Sequence, residues 1–155
     1  MKFPKKTTAA VFAAATTLTA VYEGYYGYTY KDVVGVPTVC YGETEKTAVA
    51  EGRKKTFTKA ECLDMLKKSL VKYDDGFMAC VNRPIPDSVH IAGISFTYNV
   101  GIGGVCRSGF VKFINQGKFK EACDALLVWN HAGGRVIKGL TNRRQSERKI
   151  CLEGL

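Results

Sequence analysis

Histidine is scarce in this chain of 155 residues, which carries only His90 and His131. No two of its cysteines form a Cys-x-x-Cys pair. Zinc sites are usually built from such closely spaced cysteine and histidine ligands, so we expect no bound metal and no other cofactor. A catalytic Cys–His pair is a weak alternative, because nothing in the sequence orders either histidine beside a particular cysteine.

The chain also lacks the length for a second independent domain, so residues 1–155 are expected to form one domain. Acidic residues are few relative to basic ones, with 14 Asp and Glu against 23 Lys and Arg and a formal net charge of +9. Such a chain suits an anionic partner, which could be nucleic acid, an anionic membrane or the bacterial cell wall. The basic residues are spread in short pairs and triples that form no nucleic-acid module, so we expect no nucleic-acid partner.

Cysteine, by contrast, is plentiful, and its six residues favour up to three disulfides formed in an oxidising compartment. Sequence alone leaves fifteen pairings open. We expect Cys123–Cys151, because the last two predicted helices would bring these residues together. The other candidate pairs are Cys40–Cys62 and Cys80–Cys106.

Charge is absent from Thr7 to Tyr22, directly after the basic segment Met1–Lys6. This arrangement is typical of the start of an export signal, although the segment is shorter than the roughly 20 apolar residues that a full membrane crossing requires. Cleavage within it would remove the residues that lead into Glu23. The spacing of four apolar residues also predicts that residues 1–22 supply the first helix of the folded protein: Val11, Ala14, Leu18 and Val21.

The rest of the sequence predicts an α+β fold with a mostly β first lobe and an all-helical second lobe. β-Branched and aromatic residues between Gly24 and Phe57, broken by glycines, indicate short antiparallel strands. Capping residues and apolar periodicity then predict five helices. They run from Thr58 to about Tyr73 with a Thr58–Glu61 capping box, from Asp87 or Ser88 to Asn99, from Ser108 to Gly117, from Lys118 to Trp129, and from Thr141 or Asn142 to about Cys151.

Two carboxylates in the stretch from Tyr22 to Gly42 suggest acid chemistry on a sugar. Glu23 follows the uncharged segment, so partly apolar surroundings could keep its carboxyl group protonated near neutral pH. Asp32 lies in a polar turn and would stay ionised. Glycoside hydrolysis uses such a pair, one group to protonate the leaving oxygen and the other to act on water or the developing cation. Both residues also have ordinary interpretations, Asp32 as a turn residue and Glu23 as a solvated one.

The pattern Glu23-x8-Asp32-x5-Thr38 begins with Glu23-Gly24 and is followed by Tyr41-Gly42. It resembles the motif of the phage-type lysozymes, the endolysins of glycoside hydrolase family 24. The resemblance covers nearly all of the chain after the N-terminal tail. It continues in three later segments, which look like the family's Phe-Asn-Val-Gly segment, its Leu-Asn-x-Gly helix end and its Asn-Arg-Arg-x-x-Glu tail: Phe96–Gly101, Phe113–Gly117 and Trp129–Arg148.

The resemblance implies a two-lobed, lysozyme-like muramidase that hydrolyses the β-1,4 bond between N-acetylmuramic acid and N-acetylglucosamine and so lyses the bacterial host. Its partner would be the glycan strands of peptidoglycan, and it would act as a monomer. By the same resemblance Glu23 is the acid, Asp32 activates water or stabilises the cationic transition state, and Thr38 positions the water. Four further residues have supporting roles, the first restraining Glu23 and the others binding substrate: Arg143, Tyr98, Asn99 and Ser108.

One departure from the family is Glu43, where the family often has a histidine, and this puts the local rigidity of the site in doubt. Some members of the family also resemble this chain in having an uncleaved signal-anchor that later leaves the membrane and refolds. For this chain the resemblance implies transient association with the inner membrane and action in the periplasm. The alternative is an enzyme that stays in the host cytoplasm until a pore releases it.

Two other functions remain open at this point. A lytic transglycosylase uses one Glu and needs no water-positioning pair, so Asp32 and Thr38 count against it. A non-enzymatic cationic protein could disrupt membranes or bind the wall through its net charge and its N-terminal segment alone.

Overall fold

The computed structural model describes residues 6–31, 35–44 and 56–155, so Asp32 lies outside the described residues. Helix α1 spans Ala9–Glu23 and begins after Thr8, whose hydroxyl accepts a hydrogen bond from the Val11 amide at 3.2 Å. Just before the helix, the Thr7 hydroxyl donates to Asp74, which in turn contacts His90 Nε2 at 2.6 Å. The start of α1 is therefore attached to the body of the protein.

The buried face of α1 differs from the predicted one. Val11 and Leu18 are buried as expected, but Ala14 is exposed and Val21 is 70% exposed. Thr16 and Thr19 lie in the interior instead, because their hydroxyls donate to backbone carbonyls four residues earlier, each at 2.8 Å. Within the described ranges, no helix is both long and apolar enough to cross a membrane.

The small lobe is a three-stranded antiparallel sheet in the order β1 (Tyr26–Lys31), β2 (Pro37–Cys40) and β3 (Glu43–Thr44). Tyr30 pairs with Thr38, and Thr38 pairs with Thr44. The sheet confirms the short strands predicted for this region. Its turn between β2 and β3 points at the end of α1, as described below.

The helical lobe follows as six α-helices and one 3-10 turn. They are α2 (Lys59–Ala79), α3 (Asp87–Val100), α4 (Ile102–Arg107), α5 (Gly109–Asn115), α6 (Phe119–Ala125), the 3-10 turn (Leu126–Val128) and α7 (Lys138–Glu153). A short hairpin, β4 (His131–Ala132) with β5 (Arg135–Val136), precedes α7, so the prediction that this lobe is all-helical was wrong. The α+β class is confirmed.

Local capping signals predicted two of the helix caps correctly and two incorrectly. The Thr58–Glu61 capping box and the Ser108 cap are both present. Helix α3 has no side-chain cap, because the Ser88 hydroxyl donates instead to the Cys151 carbonyl at 3.0 Å. Helix α7 begins at Lys138, before Thr141, whose hydroxyl accepts a hydrogen bond from Asn130. In both cases the side chain predicted as a cap bonds a distant segment of the chain.

The described residues form two hydrophobic cores. One core joins α1, β2, α2 and α3, and the other lies among the helices of the second lobe around Phe77, Phe96 and Phe110. The disulfide Cys40–Cys62 is in the first core and connects the small lobe to α2. Cys80–Cys106 and Cys123–Cys151 connect helices of the second lobe. All three pairs are those expected from the sequence.

Candidate active site

Glu23 is the last residue of α1, and its side chain is one-fifth exposed at 20%. Its Oε1 atom accepts a hydrogen bond from Arg143 Nη1 at 2.5 Å. Its Oε2 atom faces Gly42 in the turn between β2 and β3, where an added Cβ atom would lie 3.3 Å away. The two oxygens of this carboxyl group therefore have different surroundings, one occupied by an arginine and one directed at the small lobe.

Glu23 is the outermost member of an ion cluster that continues into the protein interior. The buried members are Arg143, Glu147 and Arg144. Arg143 Nε is 3.2 Å from Glu147 Oε1, and Arg144 Nε is 3.0 Å from Glu147 Oε2. The Ser95 hydroxyl donates to Glu147 Oε1 at 2.8 Å. Glu147 and Arg144 are fully buried and Arg143 is 3% exposed, so this cluster fixes its members by charge as well as by packing.

Burial in this cluster shifts the pKa of Arg144. Burial lowers the pKa of its guanidinium to about 10, although the neighbouring Glu147 opposes the change. The side chain is thus still cationic at neutral pH. Its guanidinium lies 4.8 Å from the centroid of the Phe96 ring, and its Nη2 donates to Asn99 Oδ1 at 2.6 Å.

A cleft of about 360 Å³ opens in front of Glu23, between the small lobe and the helical lobe. It contains two carboxylates and one ammonium group among otherwise neutral polar and aromatic side chains. Its lining consists of Glu23, Gly42, Glu43, Thr44, Ser69, Lys72, Tyr73, Tyr98 and Asn99. The polar lining suits a polar ligand such as a sugar.

Tyr98 connects the two lobes at the floor of this cleft. Its hydroxyl donates to the Tyr41 carbonyl at 2.7 Å, and its ring packs edge-on against Tyr73 with centroids 5.0 Å apart. Burial raises the pKa of the Tyr98 hydroxyl, and the nearby carboxylates of Glu43 and Glu23 raise it further. Tyr98 therefore remains a neutral hydrogen-bond donor far above neutral pH.

Glu43, the residue that departs from the family pattern, lies in the cleft and is only 6% exposed. Its Oε1 accepts a hydrogen bond from the Ser69 hydroxyl of α2 at 2.7 Å and lies 3.5 Å from the Tyr98 hydroxyl. The carboxylate thus connects the small lobe to α2 through a hydrogen bond.

The structure brings together some of the residues predicted for the site and not others. Glu23, Tyr98 and Asn99 line the cleft, and Arg143 contacts Glu23 from its buried side. Thr38 lies in β2, is 5% exposed and donates its hydroxyl hydrogen to the Val36 carbonyl at 3.0 Å. Within the described ranges no group donates a hydrogen bond to this hydroxyl, and Thr38 is not among the residues that line the cleft.

Ser108, predicted to bind substrate, is not among the residues that line the cleft. It is 3% exposed, and its hydroxyl donates to the Val105 carbonyl at 2.6 Å and accepts from the Val111 amide at 3.3 Å. Helix capping explains why the sequence has serine here. Ser108 thus caps α5 away from the cleft lining, and its role in substrate binding stays a prediction.

Sequence reasoning missed the members of the site that act from behind it, above all Glu147, Arg144 and Ser95. Glu147 could have been found, since it stands four residues after Arg143 on the same helix and belongs to the Asn-Arg-Arg-x-x-Glu segment. Ser95 carries no such signal. In the described parts of the chain, no group of three or more His, Cys, Asp or Glu side chains could hold a metal ion.

Comparisons with known proteins agree with this geometry. The profile of the phage lysozyme family matches residues 20–147. The SAR-endolysin of Bacteriophage PS119 is 45% identical over 132 residues, which are 85% of this chain and 77% of that protein. The SAR-endolysin of Enterobacteria phage P21 is 44% identical over 132 residues, which are 85% of this chain and 78% of that protein.

Among solved structures, a mutant of P22 lysozyme has a TM-score of 0.80 at 26% identity and covers 90% of this chain and 95% of its own. This likeness confirms the lysozyme-like fold. The chain therefore belongs to the phage lysozyme family and is a glycoside hydrolase of the lysozyme type, an endolysin that acts on bacterial peptidoglycan.

Proposed function

We propose that Glu23 is the general acid that protonates the leaving oxygen of the glycosidic bond. The observation that carries this proposal is the different environment of its two carboxyl oxygens. Arginine can only donate hydrogen bonds, so a proton on Glu23 cannot sit on Oε1, which faces Arg143 Nη1 at 2.5 Å. The proton must be on Oε2, the atom directed toward Gly42 and the cleft. Arg143 thereby presents the acid to the substrate.

Asp32 and Thr38 complete the proposed mechanism as the groups that handle water. Asp32 would activate the water or stabilise the cationic transition state, and Thr38 would accept a hydrogen bond from that water through its hydroxyl oxygen. Their support is the motif spacing in the sequence. The expected product is a reducing end of inverted configuration, whereas a 1,6-anhydro end would indicate a transglycosylase.

The test is Glu23→Gln, which keeps the shape of the side chain but cannot donate the proton. Turnover of purified peptidoglycan should fall by about 10²- to 10⁴-fold with the unfolding temperature unchanged or raised. Glu43→Gln removes a carboxylate from the same cleft and should cost far less. Retention of more than a few per cent of activity by the Glu23 variant would remove Glu23 from this role, and lysis that survives it would be non-enzymatic.

We also propose that the segment from Thr7 to Tyr22 is held in the inner membrane before it forms α1, and that the enzyme acts in the periplasm. The relatives named SAR-endolysins support an anchoring step. The hydroxyls of Thr16, Thr17 and Thr19 donate to carbonyls of their own helix, which lowers the cost of placing them in either lipid or protein. Such a segment is only weakly hydrophobic, so it can leave the bilayer.

Replacing Thr16, Thr17 and Thr19 by Leu should retain the protein in the membrane fraction and suppress lysis. The matched control is the same variant extracted in detergent, because recovered activity would show that its fold is intact. A soluble active wild-type enzyme whose chain begins after Val21, identified by mass spectrometry, would contradict the proposal. So would an enzyme found only in the cytoplasm.

A further inference from the structure

The side-chain amide of Asn99 lies at the cleft, and its contact with Arg144 fixes which end of the amide faces the protein interior. Asn99 is the penultimate residue of α3, is exposed and lines the cleft together with Glu23. Its Oδ1 atom accepts the hydrogen bond from Arg144 Nη2 at 2.6 Å. A guanidinium has no acceptor, so the amide oxygen must face Arg144 and the amide NH₂ must face away from it.

Arg144 has little freedom to release this amide. It is fully buried, its guanidinium lies 4.8 Å from the Phe96 ring centroid, and its Nε is 3.0 Å from Glu147 Oε2. If the Asn99 amide rotated by half a turn, its NH₂ group would meet a buried donor and both groups would lose a hydrogen bond. The orientation of Asn99 is therefore set from inside the protein.

We propose that Arg144 is a positioning residue that holds Asn99 with its NH₂ group in the cleft, where this group donates a hydrogen bond to the carbonyl oxygen of an acetamido group on the glycan. The proposal rests on the proposed use of this cleft by the substrate. Arg144 would then act on Asn99 as Arg143 acts on Glu23, each arginine turning a donor toward the sugar. The two arginines share Glu147 as their common partner.

The choice of a neutral acceptor follows from the charges that line the cleft. The carboxylates of Glu23 and Glu43 outnumber the one ammonium group, that of Lys72, so the lining is net negative and disfavours a carboxylate of the peptide stem. The acetamido carbonyl is a neutral acceptor that recurs on every sugar of the strand, and it matches a neutral amide donor. Asn99 would thus favour N-acetylated strands over strands that lack the acetyl group.

The decisive comparison is between Asn99→Asp and Asn99→Ala. Asp keeps, and strengthens, the contact with Arg144 but turns the outward group from a donor into an acceptor, whereas Ala removes both contacts. We expect KM for soluble glycan strands to rise up to about tenfold in the Ala variant and more in the Asp variant, with smaller changes in kcat. If Asn99 serves only to pair with Arg144, the order reverses, and an Asp variant that binds as well as the wild type overturns the proposal.

The added charge of Asp is controlled by measuring the same KM values at low and high salt. Electrostatic repulsion across the open cleft weakens as salt screens it, whereas the loss of a hydrogen-bond donor persists. Both variants lack the donor, so both should stay weaker than the wild type at high salt. Recovery of the wild-type KM by the Asp variant at high salt would assign its effect to charge and reject the donor.

The part played by Arg144 is tested through Arg144→Lys, alone and combined with Asn99→Ala. One ammonium group cannot reproduce the planar fork that holds Glu147 and Asn99 together, so the single variant should raise KM. If Arg144 acts through Asn99, it should have no further effect on KM in the Asn99→Ala background. Fully additive effects would contradict the positioning role. Should the Lys variant fail to fold, the Asp and Ala comparison still decides.

The identity of the acceptor is tested with chemically de-N-acetylated strands. Loss of the acetyl group should raise KM for the wild type and leave KM for Asn99→Ala nearly unchanged, and equal increases in both would reject the acetamido partner. Dissociation constants for the strands, measured in the Glu23→Gln background, should rank the wild-type Asn99, Asn99→Ala and Asn99→Asp proteins in the same order as KM, without turnover. A wrong assignment of Glu23 and a wrong assignment of Asn99 are therefore distinguishable, since only the second alters this binding order.

Discussion

The two walls of the cleft are built in different ways. The helical wall places Glu23 on a buried ion cluster in which Arg143 and Glu147 satisfy each other. The small-lobe wall meets it through a turn, with Tyr98 donating to the Tyr41 carbonyl and Ser69 donating to Glu43. The difference indicates that the position of the acid depends on buried charge, whereas the width of the cleft depends on single hydrogen bonds from neutral donors and one disulfide.

The helical wall should be the costlier one to break. Arg143→Met leaves Glu147 and Glu23 without a shared partner, and removing one member of a buried pair costs about 3–5 kcal/mol. We expect a loss of this size in the free energy of unfolding, measured by urea titration, together with loss of turnover. The control is Arg148→Met on the same helix, whose ion pair with Asp124 is exposed and should contribute at most about 1 kcal/mol. Equal losses in the two variants would contradict the role of burial.

The disulfides allow the lobes to be compared directly. Replacing Cys40 and Cys62 by Ala, or Cys123 and Cys151 by Ala, should each cost about 2–4 kcal/mol. Only the first change frees the small lobe from α2, so it should also lower turnover at temperatures where circular dichroism still shows a folded protein. If both double variants lose activity only as they unfold, contacts other than the Cys40–Cys62 disulfide keep the small lobe in place against α2.

Gly42 is a small-lobe residue that faces Glu23, and Gly35 is its control. Both have positive φ, 87° and 84°, so alanine at either should cost about 1–2 kcal/mol of backbone strain. Alanine at position 42 also places a methyl group 3.3 Å from Glu23 Oε2, whereas at position 35 it meets no described atom within 4 Å. We expect kcat to fall about tenfold only in Gly42→Ala, less than the roughly 10²-fold of a 1 Å misplacement. The same kcat in both variants would contradict this contact.

Tyr98 gives the small-lobe wall a pH dependence of its own. Because its pKa is raised in the folded protein, the unfolded chain ionises first, at about pH 10. The folded state then binds more protons, and the free energy of unfolding should fall above pH 10 by about 1.4 kcal/mol per pH unit. Tyr98→Phe should lack this contribution and show a shallower decline between pH 10 and 11. Parallel declines in the two proteins would exclude Tyr98 as its source.

Local chemistry made part of this architecture predictable from the sequence. The Thr58–Glu61 capping box and the Ser108 cap satisfy backbone groups within three residues, so their effect does not depend on the rest of the fold. The contact between Glu23 and Arg143 was predicted from the resemblance to a family motif, and no local chemical signal in the sequence indicated it. Asp74 and His90, which contact each other at 2.6 Å, carried no signal because two separate helices bring them together.

The wrong predictions share a physical cause. Ala14 and Val21 fit the helical period, but Thr16 and Thr19 replaced them in the interior because a hydroxyl bonded within its own helix costs little to bury. Serine and threonine favour helix caps, but the Ser88 and Thr141 hydroxyls form hydrogen bonds with other parts of the chain instead. Ser108 caps α5, and its assignment to substrate stays a prediction. Polar side chains with more than one available partner are thus the residues that sequence patterns assign least well.

Helix α1 is fastened at both of its ends, by Thr7 to Asp74 before it begins and by Glu23 to Arg143 where it finishes. An α-helix turns by about 100° and rises by about 1.5 Å per residue. The length of α1, 15 residues, therefore sets the direction in which the Glu23 side chain leaves the helix. One residue more or fewer would swing the Glu23 carboxyl about a quarter turn around the helix, out of line with Arg143, even if every other contact in the cleft survived.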